Sequence, residues 1–193
     1  MLSLLKYKVE EILLPLTRLA VRAGLKPNHI SLLGFILGIA AGVAIAVSEL
    51  ITGVILLALS SFMDVFDGAM ARGGGKETEF GGFLDSVFDR YVDIAIFTGL
   101  GIYAAREITS PIPIWPLVIV TLAGAMLVSY TRARAEHAIP NCDVGVVERG
   151  ERIILIVIAL LTGYIWQILL IIGIFSHITA IHRVLYTYIK TRQ

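Results

Sequence analysis

Three stretches of this chain, residues 27–48, 108–131 and 153–182, contain no Asp, Glu, Lys or Arg. Each is long enough to cross a bilayer as a helix, which takes about 20 mainly apolar residues. Backbone in hydrocarbon must satisfy its own hydrogen bonds, so such stretches have few structural options. The 193-residue chain is therefore expected to be an all-α integral membrane protein. Its 57% hydrophobic content agrees, but the distribution decides. The length suits one helical membrane domain, and no nucleic-acid partner is expected. The single cysteine, Cys142, excludes an intramolecular disulfide and a cysteine metal cluster.

Residues 1–25 alternate differently. Leu2, Leu5, Val9, Ile12 and Leu13 recur at helical spacing, with Lys6, Glu10 and Arg18 between them. The pattern predicts an amphipathic helix lying in the interface, with a soluble pairing helix as the alternative. The charges in this stretch also argue against a cleavable signal peptide. Residues 26–193 then read as six spans. The first covers about 29–48, opened by Pro27 and Asn28, and the second about 52–72, ended by Gly73-Gly74-Gly75. The third runs from about Gly81 to Tyr103. The fourth follows a proline-rich loop at about 114–135. The run from 153 is too long for one crossing and splits at Gly163–Gln167, giving spans of about 148–163 and 167–188.

Six spans put both termini on one side. There fall five bases before the first span, Arg72, Lys76, four bases within 132–152, Arg183, Lys190 and Arg192, whereas only Arg106 is clearly opposite. The asymmetry predicts cytoplasmic termini in the cell membrane, with Trp115, Tyr164 and Trp166 at the other interface.

Against this apolar background stands one charged segment. It reads Asp64-x-x-Asp67-Gly68-x-x-Ala71-Arg72, then, after eight residues, Gly81-x-x-x-Asp85-x-x-x-Asp89. Ionisable groups at membrane depth are costly and are functional candidates for that reason. Asp64 and Asp67 share one helix face, as do Asp85 and Asp89. Two adjacent helices can thus direct four carboxylates into one cavity. Hard divalent cations take such oxygen ligands together with substrate phosphates, and a pair of them can support displacement at phosphorus. Gly68 and Gly81 would let a bulky ligand approach the backbone, and Arg72 has the planar fork that grips phosphate. Helix-capping acids and surface ion pairs are the ordinary alternative for any one of these residues, but not for four with Gly and Arg at set intervals. A cation pathway is another alternative, although the acids gather at one side. Asp93 extends the face by one turn, as a supporting group or a partner of Arg90.

The full pattern from Asp64 to Asp89 resembles the signature of the CDP-alcohol phosphatidyltransferases, with every signature position filled. The six spans and N-terminal helix resemble that family too. The resemblance implies transfer of a phosphatidyl-type group from a CDP-linked lipid to an alcohol, with release of CMP. It implies that Asp64, Asp67, Asp85 and Asp89 bind two Mg²⁺ or Mn²⁺ ions, and that Asp89 is also the base for the acceptor hydroxyl. Asp67, Gly68, Ala71 and Arg72 would contact the CDP moiety, with Thr78 and the Pro27-Asn28 corner as further candidates. A homodimer is implied as well.

A second cluster, Ser129 to Glu136 followed by Glu148-Arg149-Gly150-Glu151-Arg152, falls on the same side in this span order, with Arg183 in the last span. Arginines there suit an acceptor that carries phosphate, although positive-inside topology also explains the loop arginines. The cluster resembles that of the phosphatidylinositol-phosphate synthases within the family. By that likeness Ser129, Arg132, Arg152 and Arg183 would hold the phosphate of inositol phosphate. Glycerol phosphate is the rival acceptor, and CDP-diacylglycerol and CDP-archaeol are equally compatible donors.

Overall fold

The computed structural model describes residues 13, 15–17, 19–21, 24–73 and 78–192. Among these there are no strands. Six helices follow in order: α1 Pro27–Ala46, α2 Leu50–Gly73, α3 Glu79–Glu107, α4 Ile114–Ala135, α5 Arg149–Thr162 and α6 Ile165–Lys190. Most of the expected amphipathic helix of residues 1–25 lies outside the described residues, of which 13, 15–17 and 19–21 are helical. The helices form two compact units, Met1–Ile96 and Phe97–Gln193.

In the first unit α1 starts with proline at its first turn, where no intrahelical donor is needed. A tight turn through Ser48, at φ 66°, returns the chain as α2. The α1–α2 pair is antiparallel. A Cβ on Gly34 would lie 3.1 Å from Met63 Cβ, and one on Gly53 would lie 2.7 Å from Ile45 Cγ1. Ser60 Oγ donates to Gly34 O across the pair at 2.8 Å. The early part of α3 runs parallel to α1. Phe35 stacks on Phe88 at 4.5 Å, and Gly38 and Gly42 face Val92 and Ala95. Within the stripe Gly34-x-x-x-Gly38-x-x-x-Gly42, Gly38 and Gly42 allow this approach, while Gly34 faces α2. Small residues at that spacing let apolar helices pack backbone to backbone.

In the second unit α4 and α6 are parallel. Thr121 Oγ1 donates to Leu169 O at 3.0 Å, and Arg183 Nη1 donates to Val128 O at 2.6 Å further along both helices. Gly163, left-handed at φ 79°, ends α5 and leads directly into α6. The loop from 136 to 148 is tied to α6: Val146 and Val147 N–H groups reach Thr179 Oγ1 at 3.1 and 3.3 Å. Beneath it Ala135, Ile139 and Cys142 form a small apolar cluster, with Cys142 fully buried.

Four helices, α1, α2, α4 and α6, are long and apolar enough to cross a membrane. Exposed Leu, Ile and Val side chains, such as Ile36 and Val43 on α1 and Ile174, Ile178 and Ile181 on α6, are where lipid would cover them. This is a multi-pass membrane protein. The 14-residue α5 rises only about 21 Å, short of a typical hydrocarbon core. The 29-residue α3 is long enough but carries Asp85, Asp89, Arg90 and Asp93.

Candidate active site

The break between α2 and α3 brings the end of one helix beside the start of the other. As a result Asp64 and Asp67 meet Asp85, and one carboxylate oxygen from each lies within 4.8 Å of the others. Asp64 and Asp85 are half-buried, and Asp67 is only 7% exposed. The Ser31 hydroxyl, which donates to Pro27 O at 3.2 Å, and the Gly68 amide lie beside the Asp67 carboxylate, whose Oδ2 is buried with no hydrogen-bond partner. An anionic oxygen buried among like charges is strongly disfavoured unless something positive reaches it. The donor set is oxygen only, which fits a hard divalent cation such as Mg²⁺ or Mn²⁺.

Asp89 stands one turn beyond Asp85. It is half-buried, with Oδ2 3.4 Å from Arg90 Nη1, which also donates to Ser86 O at 2.9 Å. Asp93, the next residue on that face, is buried at 7% exposure. Thr78 caps α3, its Oγ1 accepting from Gly81 N–H at 3.0 Å, as N-cap hydroxyls do. A Cβ on Gly81 would meet Thr78 Oγ1 at 2.9 Å and Asn28 Oδ1 at 3.3 Å. Asn28, beside Pro27 at the start of α1, thus belongs to the same corner. The space beside Gly68 is taken by Arg72, whose Nη2 would lie 2.9 Å from a Cβ there. That guanidinium is the end of a flexible, exposed side chain. Ala71 is half-buried beside it.

The expected acceptor residues all lie in the second unit. Arg183, 1% exposed, donates from Nε to Val144 O at 2.7 Å, from Nη1 to Val128 O and from Nη2 to Glu148 Oε1 at 2.7 Å. Arg132 is 40% exposed and is held by three acids: Glu136 at 3.0 Å, Asp143 at 3.0 Å and Glu148 at 3.3 Å. Arg152 is 1% exposed in the first turn of α5, and Ser129 is half-buried on α4. Glu148 opens α5 in a reciprocal capping box with Glu151.

The CDP-alcohol phosphatidyltransferase family profile matches residues 25–182. The chain belongs to that family. It is 37% identical over 185 residues to the archaetidylinositol phosphate synthase of Pyrococcus horikoshii, with 95% of each chain covered. The fold is similar to the crystal structure of Mycobacterium tuberculosis phosphatidylinositol phosphate synthase with CDP-DAG bound. The TM-score is 0.80 at 29% identity, over 92% of this chain and 94% of that one. The same mycobacterial enzyme in complex with manganese and citrate gives a TM-score of 0.79 at 29% identity, over 90% of this chain and 88% of that one. The protein is therefore a membrane-bound CDP-alcohol phosphotransferase of phospholipid biosynthesis, and its acidic cluster could hold a metal ion.

Several residues that contact the expected site residues within each unit were not singled out by the sequence. Ser31 touches Asp67, Ser60 ties α2 to α1, and Glu148 joins Arg132 to Arg183. The glycine stripe of α1 is visible as a spacing in the chain. The partners of Ser31, Ser60 and Glu148 depend on which helices meet.

Proposed function

We propose that this transferase moves the phosphatidyl-type group of a CDP-linked lipid, CDP-archaeol or CDP-diacylglycerol, to a hydroxyl of inositol phosphate. The observation that carries the reading is the Asp64–Asp67–Asp85 cluster with its buried, unanswered Asp67 oxygen. Asp64, Asp67, Asp85 and Asp89 together hold two Mg²⁺ or Mn²⁺ ions. When bound, the ions neutralise the pyrophosphate and lower the pKa of the acceptor hydroxyl.

The chain's own groups do the rest. Asp89 accepts the hydroxyl proton, and the Arg90 contact fixes the orientation of its carboxylate. The acceptor oxygen forms a bond to the lipid-bearing phosphorus as the bond to the CMP oxygen breaks, and CMP leaves with that electron pair. Gly68, Ala71 and Arg72 face the CDP moiety, while Pro27, Asn28 and Thr78 form the adjoining corner. Ser129, Arg132, Arg152 and Arg183 serve the acceptor phosphate. Burial separates the roles of the three arginines. Arg132, 40% exposed, offers its fork, whereas Arg152 and Arg183, each 1% exposed, supply fixed positive charge. Six crossings, with α3 and α5 included, place both termini and the site at the cytoplasmic face of the cell membrane. The 1–25 segment lies in the interface, and the protein works as a homodimer.

The test is an acceptor screen on purified protein with one CDP-lipid, scored by CMP release. Inositol phosphate with Mg²⁺ should support turnover, while EDTA or Asp89→Asn should abolish it. Full activity in EDTA would sink the metal mechanism. A clear preference for glycerol 3-phosphate would reassign the acceptor.

A further inference from the structure

The acids around Arg132 are more numerous than an anion-binding arginine requires, and they are not equivalent. Glu136 lies one turn further along the same backbone, an i,i+4 pair. Glu148 is immobilised: its Oε1 also accepts from buried Arg183, and its side chain caps α5. Asp143 differs from both. It sits in the loop between α4 and α5, its side chain is 75% exposed, and Arg132 is its one ion-pair partner among the described residues. The loop just beyond it is fastened by Val144 O to Arg183 and by Val146 and Val147 to Thr179. Asp143 can therefore leave Arg132 by a side-chain rotation, without moving the loop. Its Oδ1 accepts from Arg132 Nη2 at 3.0 Å, close to the separation a phosphate oxygen takes on a guanidinium.

We propose that Asp143 is a built-in competitor for the acceptor's phosphate. Its carboxylate holds the anion position on Arg132 Nη2, and the phosphorylated acceptor binds by displacing it. This rests on the reading of Arg132 as a ligand of the acceptor phosphate. The consequence is a tuned affinity. A phosphate near its second ionisation carries up to two charges and three strong acceptor oxygens, so it displaces one carboxylate readily. While Asp143 holds Arg132 Nη2 only the open fraction can bind, so Asp143 raises the acceptor KM by one common factor for every ligand that must take that position.

The experiment measures CMP release against inositol phosphate concentration, at saturating CDP-lipid and Mg²⁺. It compares the unmodified protein with Asp143→Asn, Arg132→Gln and the double variant. Asp143→Asn should lower the acceptor KM about two- to fivefold, the range set by an exposed ion pair. The donor KM, kcat and melting temperature should hold. In the Arg132→Gln background, which itself raises acceptor KM, adding Asp143→Asn should change nothing. An acceptor KM for Asp143→Asn at or above that of the unmodified protein overturns the proposal while the Arg132 effect keeps the parent reading standing. The same drop in both backgrounds also overturns it, since that would be a general charge effect. If Arg132→Gln leaves acceptor KM unchanged, the parent reading falls, and this proposal with it.

Discussion

Gly42→Ala should slow this enzyme markedly without touching any residue of its signature. The added Cβ would lie 2.6 Å from both the carbonyl carbon and the carbonyl oxygen of Ala95, and 3.0 Å from its Cβ. Carbon contacts are comfortable at about 3.5–4.0 Å, so α1 and α3 must separate locally by roughly 1 Å. The obstacle is backbone, so no rotamer relieves it. Overpacking of this kind costs about 1–3 kcal/mol. The catalytic cost follows from where α3 leads. Ala95 lies ten residues after Asp85, about 15 Å along the helix, and α3 is the element that carries Asp85 and Asp89. A misplacement near 1 Å at the reacting groups costs on the order of 10²-fold in rate. Leverage along the helix makes a loss of about 10- to 100-fold in CMP release the expected range.

The neighbouring position supplies the control. A Cβ on Gly38 would strike Val92 Cγ2 and Cγ1 at 2.5 and 2.7 Å and Ser60 Oγ at 2.9 Å, all side-chain atoms. Gly38→Ala should therefore be partly rescued by Val92→Ala. Gly42→Ala should not be rescued by Ala95→Gly, because the carbonyl remains. The assay is steady-state CMP release at saturating Mg²⁺, with melting temperature measured in parallel. Unimpaired turnover by Gly42→Ala, or full rescue by Ala95→Gly, would refute the claim that backbone contact between α1 and α3 sets the position of the acids.

Two further outcomes follow from buried charge. Asp67→Asn should abolish turnover yet raise the melting temperature of the metal-free protein in EDTA: relieving an unanswered buried oxygen contributes about 1–3 kcal/mol, at roughly 2–4 °C per kcal/mol. The same variant should lose the stabilisation that Mg²⁺ or Mn²⁺ gives the unmodified protein, read as a shift in melting temperature on metal addition. Glu148→Ala removes one of the partners of the buried Arg183 and the cap of α5, so it should cost about 3 kcal/mol or more, whereas Glu148→Gln, which keeps an acceptor oxygen, should cost far less. Thermal unfolding in detergent distinguishes the two, and equal losses would deny Glu148 its place as the shared acceptor.

Helix order was legible in the chain. Spans expected at 29–48, 52–72 and 114–135 appear as α1 Pro27–Ala46, α2 Leu50–Gly73 and α4 Ile114–Ala135. The split of the last apolar run at Gly163 was equally plain, because a left-handed residue between two apolar helices has a strong local signal. The acids were legible for a similar reason: spacings of three and four fix a helix face before any partner is known. What local periodicity does not carry is the company a side chain keeps. Arg132 finds its acids 4, 11 and 16 residues away, and the last two separations follow no helical rule. The space beside Gly68 likewise reads as room for a ligand, yet Arg72 lies in it.

The acidic cluster of the first unit and the Arg132–Arg183 pair of the second handle charge in opposite ways. In the first, like charges converge and one buried oxygen is left without a partner, an arrangement that cannot be optimal for the protein alone. In the second, Arg132 and Arg183 are answered by acids or carbonyls of the chain itself. A site that leaves its charge unanswered is prepared to bind a cation tightly, since binding removes an existing penalty. A site that has answered its own charge binds an anion only by exchange, so its affinity is the difference between two similar interactions. The first arrangement suits a cation retained through turnover. The second suits a substrate that must arrive, react and leave as product, and it makes the exposed Asp143, rather than the buried arginines, the natural place to adjust how readily that exchange occurs.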